Sequence, residues 1–257
     1  MTTTKRVDLN ADAGESFGPW PMGDDARLFP HLTSVNLACG VHAGDPLTIA
    51  RAVRLAQEHE VQIGGHPGFP DLVGFGRRDL AMDPEELYAS VLYQLGALHA
   101  FVAVVGLNLH HVKPHGALYL RMVSDATTAD AVARAIRDFD NRLPLVLLGG
   151  PAGRTMLDAA NEHGLAVVRE AFPDRAYLAD GHLAPRSIAG AVIRDPAVVA
   201  KRAAAMISTG SVAALDSGTA KIEADTLCLH GDNPEAPEIA AAVRAALAEA
   251  GVEVEAY

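Results

Sequence analysis

Short runs of β-branched and other apolar residues alternate along this chain with longer stretches of helical periodicity. Each run is too short for a helix and is bounded by turn-forming residues, which is typical of a buried strand. Seven strands are predicted, at 7–12, 34–39, 61–65, 110–114, 145–148, 166–170 and 226–230. Because strands and helices alternate, we expect parallel strands joined by right-handed crossovers.

Helix starts are marked by an aspartate followed by a proline. Asp83 precedes Pro84 and lies three residues before Glu86, and apolar residues continue at helical spacing to Val102. This pattern predicts an N-cap, a first turn and an amphipathic helix. The Asp-Pro pairs at 45–46 and 195–196 predict two further helix starts, and Asn233-Pro-Glu235 is a weaker signal of the same kind. Another helix is predicted over 129–139.

The order of elements predicts an α/β fold, namely a (β/α) barrel of about seven parallel strands, with a doubly wound open sheet as the alternative. The 257 residues suit one catalytic domain spanning 1–257, since α/β barrels often run to about 250 residues. The segment 174–194 is polar, contains glycine and has no predicted element, so it is a candidate active-site lid.

Composition narrows the function. A net charge of −11 argues against a nucleic-acid partner. No apolar run approaches the roughly 20 residues that span a bilayer, and residues 1–6 lack the apolar core of a signal peptide. Two cysteines, Cys39 and Cys228, make no disulfide framework. We therefore expect a cytoplasmic protein without a membrane or nucleic-acid partner.

Polar residues concentrate at the predicted carboxyl ends of the strands. Asp8, Asn10 and Asp12 alternate along the first strand and should share one face, with Glu15 just beyond. Active sites of parallel α/β folds are built at this end. Asp12, His42 and His66 end three successive strands and are a candidate metal site, the alternative being a metal-free hydrogen-bonded network.

Other residues have competing interpretations. Lys113 and His115 lie on one face of the fourth strand and could stabilise an oxyanion and carry protons, although Lys113 could instead pair with an inward acid such as Asp8. Cys39 is better explained as a small buried residue than as a nucleophile.

Several polar and glycine residues are expected to be structural. Asp45 and Asp83 should be N-caps, His59 and His163 should lie near helix C-termini, and glycines 64, 65 and 68 should permit a tight turn. Neither a Walker-type phosphate loop nor a dinucleotide fingerprint is present in the sequence.

Four long motifs resemble one family. They are Asp8-Leu-Asn-Ala-Asp-Ala-Gly-Glu15, Ser34-Val-Asn-Leu-Ala-Cys-Gly-Val-His-Ala-Gly-Asp45, the stretch 65–78 and Val112-Lys-Pro-His-Gly-Ala-Leu-Tyr119, followed by 170–177 and 230–232. They are similar to the 5-oxoprolinase A-subunit family, also called the LamB/YcsF or lactam-utilisation family. Leu120 stands where this pattern has Asn, and Pro173 where it has Ala.

The resemblance implies a (β/α) barrel related to polysaccharide deacetylases. It also implies ATP-dependent hydrolysis of 5-oxo-L-proline to L-glutamate with partner subunits B and C. ATP would then be a co-substrate bound by those partners, which fits the lack of a phosphate loop here. A self-sufficient metal-dependent amide hydrolase or deacetylase is the alternative, and a non-catalytic binding subunit is a third hypothesis.

For the proposed reaction, Asp12 or His66 is the candidate base, and Lys113 and His115 are the candidate stabilisers of the departing oxygen. Arg77 or Arg78 could hold a carboxylate or a phosphoryl group by a bidentate contact. A surface ion pair is the alternative for these arginines. The predicted substrate-binding set is Asn10, Glu15, Asn36, Arg77, Arg78 and Glu170.

Overall fold

Seven parallel strands form a closed barrel in the computed structural model, which describes residues 5–257. Pairing of the first strand with the last closes the ring, so the predicted barrel is confirmed and the open sheet is excluded. Residues 1–4, which carry part of the signal-peptide prediction, lie outside the described residues. The barrel strands are β1 (Lys5–Ala13), β2 (Ser34–Ala38), β3 (Gln62–His66), β4 (His111–Val112), β5 (Leu145–Leu148), β6 (Val167–Ala171) and β9 (Thr226–His230).

Three further strands were not predicted from the sequence. The strands β7 (Ser211–Ala213) and β8 (Thr219–Lys221) form an antiparallel hairpin before β9. The strand β10 (Val252–Val254) pairs in parallel with the first residues of β1. Each is only three residues long, which is too short for a periodic pattern to be seen.

Helices cover the outside of the barrel. Asp45, Asp83 and Asp195 accept hydrogen bonds from backbone N–H groups in the first turns of α2 (Pro46–Glu58), α3 (Pro84–Val104) and α7 (Pro196–Thr209), so the predicted N-caps are confirmed. Two shorter helices, α1 (Asp25–Leu28) and α4 (Gly116–Ser124), were not predicted. The helices are α1 (Asp25–Leu28), α2 (Pro46–Glu58), α3 (Pro84–Val104), α4 (Gly116–Ser124), α5 (Ala126–Asp140), α6 (Arg154–Glu162), α7 (Pro196–Thr209) and α8 (Ala236–Glu249).

The helix α3 corrects one expectation from composition. It is long and apolar enough to span a bilayer by length and composition, although no run of that kind was expected. In the fold, Leu95 and Leu98 are fully buried, and buried Gln94 exchanges hydrogen bonds with the backbone of Gly68. We conclude that α3 packs one face against the barrel.

Two glycines in β3 make room for neighbouring side chains. The prediction of a tight turn is wrong for Gly64 and Gly65, because both lie within a strand that pairs with β2 and β4. A Cβ on Gly65 would lie 2.6 Å from Leu95 Cδ2, and a Cβ on Gly64 would overlap the ring of His111. These positions need a missing side chain rather than a special backbone conformation.

The segment between β6 and α7 forms a folded wall. Isolated bridges join Arg175 to Val192 and Tyr177 to Leu183. The Arg175 guanidinium donates to the carbonyl oxygens of Ala184 and Ala191, and Tyr177 is fully buried. The segment therefore has internal order of its own, and its motion as a lid stays a prediction.

Two glycine substitutions at the β3–α3 contact test this packing. Gly65→Ala should lower the free energy of unfolding by about 1–3 kcal/mol, because the new methyl group overpacks against Leu95. Gly96→Ala is the matched control, since a Cβ at this exposed position of α3 meets nothing within 4 Å. It should raise the free energy of unfolding by about 0.5–1 kcal/mol. Urea denaturation measures both, and equal effects would refute the packing argument.

Candidate active site

A cavity of about 790 Å³ opens at the carboxyl ends of the barrel strands. Asp12, Lys113 and His115 lie in its wall together with His230, so residues at the carboxyl ends of β1, β4 and β9 meet there. The outer wall comes from α4 and from the folded segment after β6. The residues of this outer wall that line the cavity include Leu120, Arg121, Leu183, Ala184, Pro185 and Arg186.

A buried ion pair lies at the cavity floor. Lys113 Nζ donates to Asp12 Oδ1 at 2.6 Å, and both side chains are almost fully buried. Burial alone would raise the pKa of Asp12, but the charges of His66 and Lys113 outweigh it and lower that pKa well below its usual range. Burial likewise opposes the charge of Lys113, but Asp12 raises its pKa well above normal. Both groups are therefore ionised.

Lys113 has two further acceptors beneath Asp12. Its Nζ lies 2.9 Å from Cys228 Sγ and 3.3 Å from Glu170 Oε1. Asp8, the alternative acid partner of Lys113, instead accepts hydrogen bonds from Thr33, Ser34 and Thr226. Lys113 Nζ thus has three potential acceptors at 2.6–3.3 Å.

Four potential ligands for a metal ion converge beside this pair. One ligand atom from each of Glu15, His42, His66 and His115 lies within 4.8 Å of the others, and all four residues are buried. Asp12 lies next to the group, with Oδ2 3.3 Å from His66 Nε2. The structure therefore joins the predicted His42 and His66 to Glu15 and His115, and it places Asp12 at their edge.

The hydrogen bonds fix which ring atoms are free. His66 Nδ1 donates to the Lys113 carbonyl oxygen at 2.7 Å, and His115 Nε2 donates to the Phe75 carbonyl oxygen at 2.9 Å. The other two ring nitrogens, His66 Nε2 and His115 Nδ1, lie 2.9 Å apart. Two imidazole nitrogens this close need a proton or a cation between them.

The electrostatics of the cluster also suit a cation. Burial lowers the pKa values of His42 and His115 well below normal, so both rings are neutral, the form that binds a metal. Burial, and then the charge of Asp12, raises the pKa of Glu15 well above normal. Both ring nitrogens of His42 and Oε1 of Glu15 lack a hydrogen-bond partner among the described residues. These buried, unsatisfied atoms fit a metal ion.

Glycines in the motif 65–78 make space for the imidazoles. A Cβ on Gly68 would lie 2.8 Å from His42 Nδ1, and one on Gly76 would lie 2.8 Å from His115 Cδ2. The rings of His42 and His115 stack with centroids 4.0 Å apart and planes 8° from parallel. No pattern in the sequence indicates this stacking, because the two rings come from different loops.

Arginines at the cavity mouth have different environments. Arg77 lines the cavity and donates to Asp232 Oδ2 at 2.7 Å, whereas Arg78 pairs with Asp71 and does not line the cavity. Arg186, which sequence reasoning missed, also lines it. Partial enclosure and then the charge of Arg77 lower the pKa of Arg186. Because Arg77 is already paired with Asp232, Arg186 is the better candidate for binding an anion at this mouth.

His230 and Asp174 form a hydrogen-bonded pair that the sequence did not predict. His230 Nδ1 donates to Asp174 Oδ2 at 2.8 Å, and the His230 ring lines the cavity beside Phe172. Both residues follow predicted strands, but no spacing rule joins residues 56 positions apart. Cys39 is buried and its pKa is raised to about 12 by burial, so its thiol is inert.

The other predicted site residues lie deeper or elsewhere. Asn36 Nδ2 donates to Asp12 Oδ1 at 3.0 Å and to Asn10 Oδ1 at 2.7 Å. Asn10 in turn donates to Glu170, which places these three residues in the barrel interior below the cavity. His59 and His163 are the C-cap residues of α2 and α6, as expected. His163 also contacts Asp130 at 2.7 Å.

A family model and individual relatives place this chain in the same family. The model of the LamB/YcsF family matches residues 7–257. A protein of Thermus thermophilus that is named as the A subunit of 5-oxoprolinase is 58% identical over 252 residues, which cover 98% of this chain and 100% of the relative. A Pyrococcus furiosus protein of the same name is 51% identical over 97% of this chain and 96% of its own length.

A solved structure shows the same fold. The crystal structure of the lactam utilization protein from Thermus thermophilus is 57% identical in sequence and superposes with a TM-score of 0.92. The match covers 98% of this chain and 100% of that one. The arrangement of strands and loops described above is therefore shared with a relative of known structure.

Glu170 provides a test of the polar interior through pH. Burial, only partly offset by Lys113, raises its pKa from 4.5 to about 7. Between these pH values the native state holds more protons than the unfolded state, so the free energy of unfolding should fall as pH rises. The loss approaches about 3 kcal/mol when complete, at about 1.4 kcal/mol per pKa unit.

Glu170→Gln cannot ionise and should lack this contribution. Relative to the native chain, this variant should gain stability when urea denaturation is moved from pH 5 to pH 8. Glu249→Gln, at an exposed position of α8, is the matched control and should show no such gain. A Glu170→Gln difference that does not change with pH would contradict the raised pKa.

Proposed function

The chain belongs to the LamB/YcsF family, and on that premise we propose that it opens the lactam ring of 5-oxo-L-proline as one component of a multi-subunit 5-oxoprolinase. The observation that carries this proposal is the ionised, buried Asp12 at the floor of a cavity, next to four potential metal ligands. In this proposal the barrel is the single catalytic domain, spanning residues 1–257, and it acts in the cytoplasm.

The chemistry explains why partners and ATP are part of the proposal. A five-membered lactam is a resonance-stabilised amide and is a poor electrophile. Transfer of a phosphoryl group from ATP to its oxygen would release ADP and make the ring carbon reactive, and phosphate would leave after water has attacked and the C–N bond has broken. The relatives are named as one subunit of an enzyme, which supports partner subunits for this chain. We assign ATP binding and lactam activation to those partners, subunits B and C.

The four-ligand cluster would hold a divalent metal. Glu15, His42, His66 and His115 supply one carboxylate and three imidazoles, a donor set that suits zinc and similar ions. When bound, such an ion would act as a Lewis acid on an oxygen of the substrate or of water. This assignment replaces Asp12 as a ligand and leaves its carboxylate free for proton transfer.

The chain's own residues then have distinct roles. Asp12 accepts a proton from the attacking water, and Lys113 holds Asp12 in place through the hydrogen bond from its Nζ to Oδ1. His230, oriented by Asp174, protonates the ring nitrogen as the amide bond breaks. Arg186, with Arg77 beside it, binds the substrate carboxylate at the mouth.

The metal-ligand cluster also favours a second candidate function. A self-sufficient metal-dependent amide hydrolase would use the same residues without ATP or partners. Its signature would be hydrolysis by the purified chain once metal is supplied. The leading proposal instead requires the activated lactam.

Dependence on partners and ATP separates the two candidates. We expect the purified chain to release no measurable glutamate from 5-oxoproline, with or without added zinc or manganese. With subunits B and C, glutamate should form in proportion to ATP consumed. The measurement is coupled detection of glutamate and ADP, and subunits B and C without this chain are the control. Robust turnover by the chain alone would replace the leading proposal with the second candidate.

Substitution of Asp12 tests the proposed base. Asp12→Asn keeps the size of the side chain but removes its charge, and it should lower turnover of the reconstituted complex by about a hundredfold to ten-thousandfold. His59→Ala, at an exposed helix end, is the control and should leave turnover unchanged. Circular dichroism and gel filtration check folding and assembly. Near-normal turnover of Asp12→Asn would exclude it as the base.

Metal content tests the ligand cluster directly. After incubation with zinc or manganese and dialysis, the native chain should retain about one ion per chain by mass spectrometry. His42→Ala removes a ligand whose nitrogens have no other partner among the described residues, so affinity should fall at least about tenfold. His31→Ala, a histidine outside the cavity, should retain the ion. Equal metal content in both variants would exclude the proposed site.

A further inference from the structure

A single hydrogen-bonded arrangement holds the Asn36 amide under the catalytic carboxylate. Its Nδ2 group donates to Asp12 Oδ1 at 3.0 Å and to Asn10 Oδ1 at 2.7 Å. Both neighbours are acceptors at these atoms, because Asp12 Oδ1 also accepts from Lys113 Nζ and Asn10 donates through Nδ2 to Thr226 Oγ1. A reversed amide would place Asn36 Oδ1 against two oxygens, so Oδ1 must point the other way.

The hydrogen-bond donor to Asn36 Oδ1 is a ring nitrogen of His111. His111 Nε2 lies 2.7 Å from Asn36 Oδ1 and must carry a proton to donate to it. Burial, and then the charge of His110, lowers the pKa of His111 well below normal, so the ring is neutral. Its other nitrogen, Nδ1, then carries the lone pair and faces His110 Nδ1 at 3.1 Å. The His111 tautomer with its proton on Nε2 is thus the one that fits the orientation of the Asn36 amide.

Space for the His111 ring depends on Gly64. The two residues are paired across β3 and β4, and a Cβ on Gly64 would overlap Nε2, Cδ2 and Cε1 of the imidazole. His111 is 1% exposed and is held between Gly64 and Asn36. His111 is not among the residues that line the cavity, so it does not touch the substrate space.

We propose that His111 is a positioning residue, which acts through Asn36 to hold Asp12 in its reactive orientation. This inference rests on the role assigned to Asp12 in the proposed function. Without the His111 donor, Asn36 Oδ1 would be buried and unsatisfied, and the amide would lose the contact that fixes its orientation. Asp12 Oδ1 would then keep Lys113 but lose a fixed second donor.

Three variants test the proposal. His111→Leu removes the donor and fills similar space, Gly64→Ala displaces the ring without changing it, and His111→Gln supplies an amide N–H near the position of Nε2. Turnover is measured in the complex with subunits B and C. We expect kcat to fall about a hundredfold in the first two variants with KM little changed, and His111→Gln to recover most of kcat.

A second measurement reads the Asn36 amide itself. The chain has six asparagines, so selective ¹⁵N labelling gives few side-chain amide signals, and Asn36→Ser identifies the signal of interest. In the native chain both protons of this amide should exchange slowly with solvent. They should exchange faster in His111→Leu and Gly64→Ala but not in His111→Gln. His99→Ala, which changes a histidine on α3 outside this network, is the control.

The outcomes are distinguishable. Unchanged kcat in folded His111→Leu, or unchanged amide exchange in both disruptive variants, would overturn the positioning role. A loss of thermal stability with normal kcat would show a purely structural role and would also overturn it. If the native complex shows no turnover, the proposed function fails, while the amide signals still decide whether His111 holds Asn36.

Discussion

The buried ion pair between Asp12 and Lys113 is the interaction on which the barrel interior depends. Removing two charges from water is costly, and their attraction offsets the cost only when the other polar atoms are also satisfied. Here Asn36, Glu170 and Cys228 complete that set, and they come from β2, β6 and β9. Loss of one charge would leave the other uncompensated, which typically costs about 3–5 kcal/mol. The same ion pair therefore determines both the reactivity and the stability of the cavity floor.

Missing side chains matter as much as those present. Gly64, Gly68 and Gly76 leave the space that the imidazoles of His111, His42 and His115 occupy. A closed barrel has little room for rings in its interior, because its strands are held at fixed spacing. The glycines therefore decide which histidines can enter and where their nitrogens point. This explains why the same short motifs contain both glycine and histidine.

Much of the fold was predictable because its signals are local. The seven barrel strands are short apolar runs, and the Asp-Pro caps mark α2, α3 and α7. The short helix α4 begins without a capping side chain, so its start lacks the signal that marks those helices. Alternation along β1 predicted the inward face of Asp8, Asn10 and Asp12. The grouping of Glu15 with His115, and the displacement of Arg78 to Asp71, depend on loop geometry that spacing does not encode.

Closure of the barrel joins strands that lie far apart in the sequence. Residues 8–12 of β1 pair with residues 226–230 of β9, so the ring cannot close during synthesis until more than four fifths of the described chain has left the ribosome. Until then β1 has an open edge, and Asp12 and Asn10 lack Cys228 and Thr226. Pairings of such long sequence separation form slowly and leave strand edges exposed to aggregation. The residues that give the cavity its reactivity are thus also those that the growing chain must protect longest.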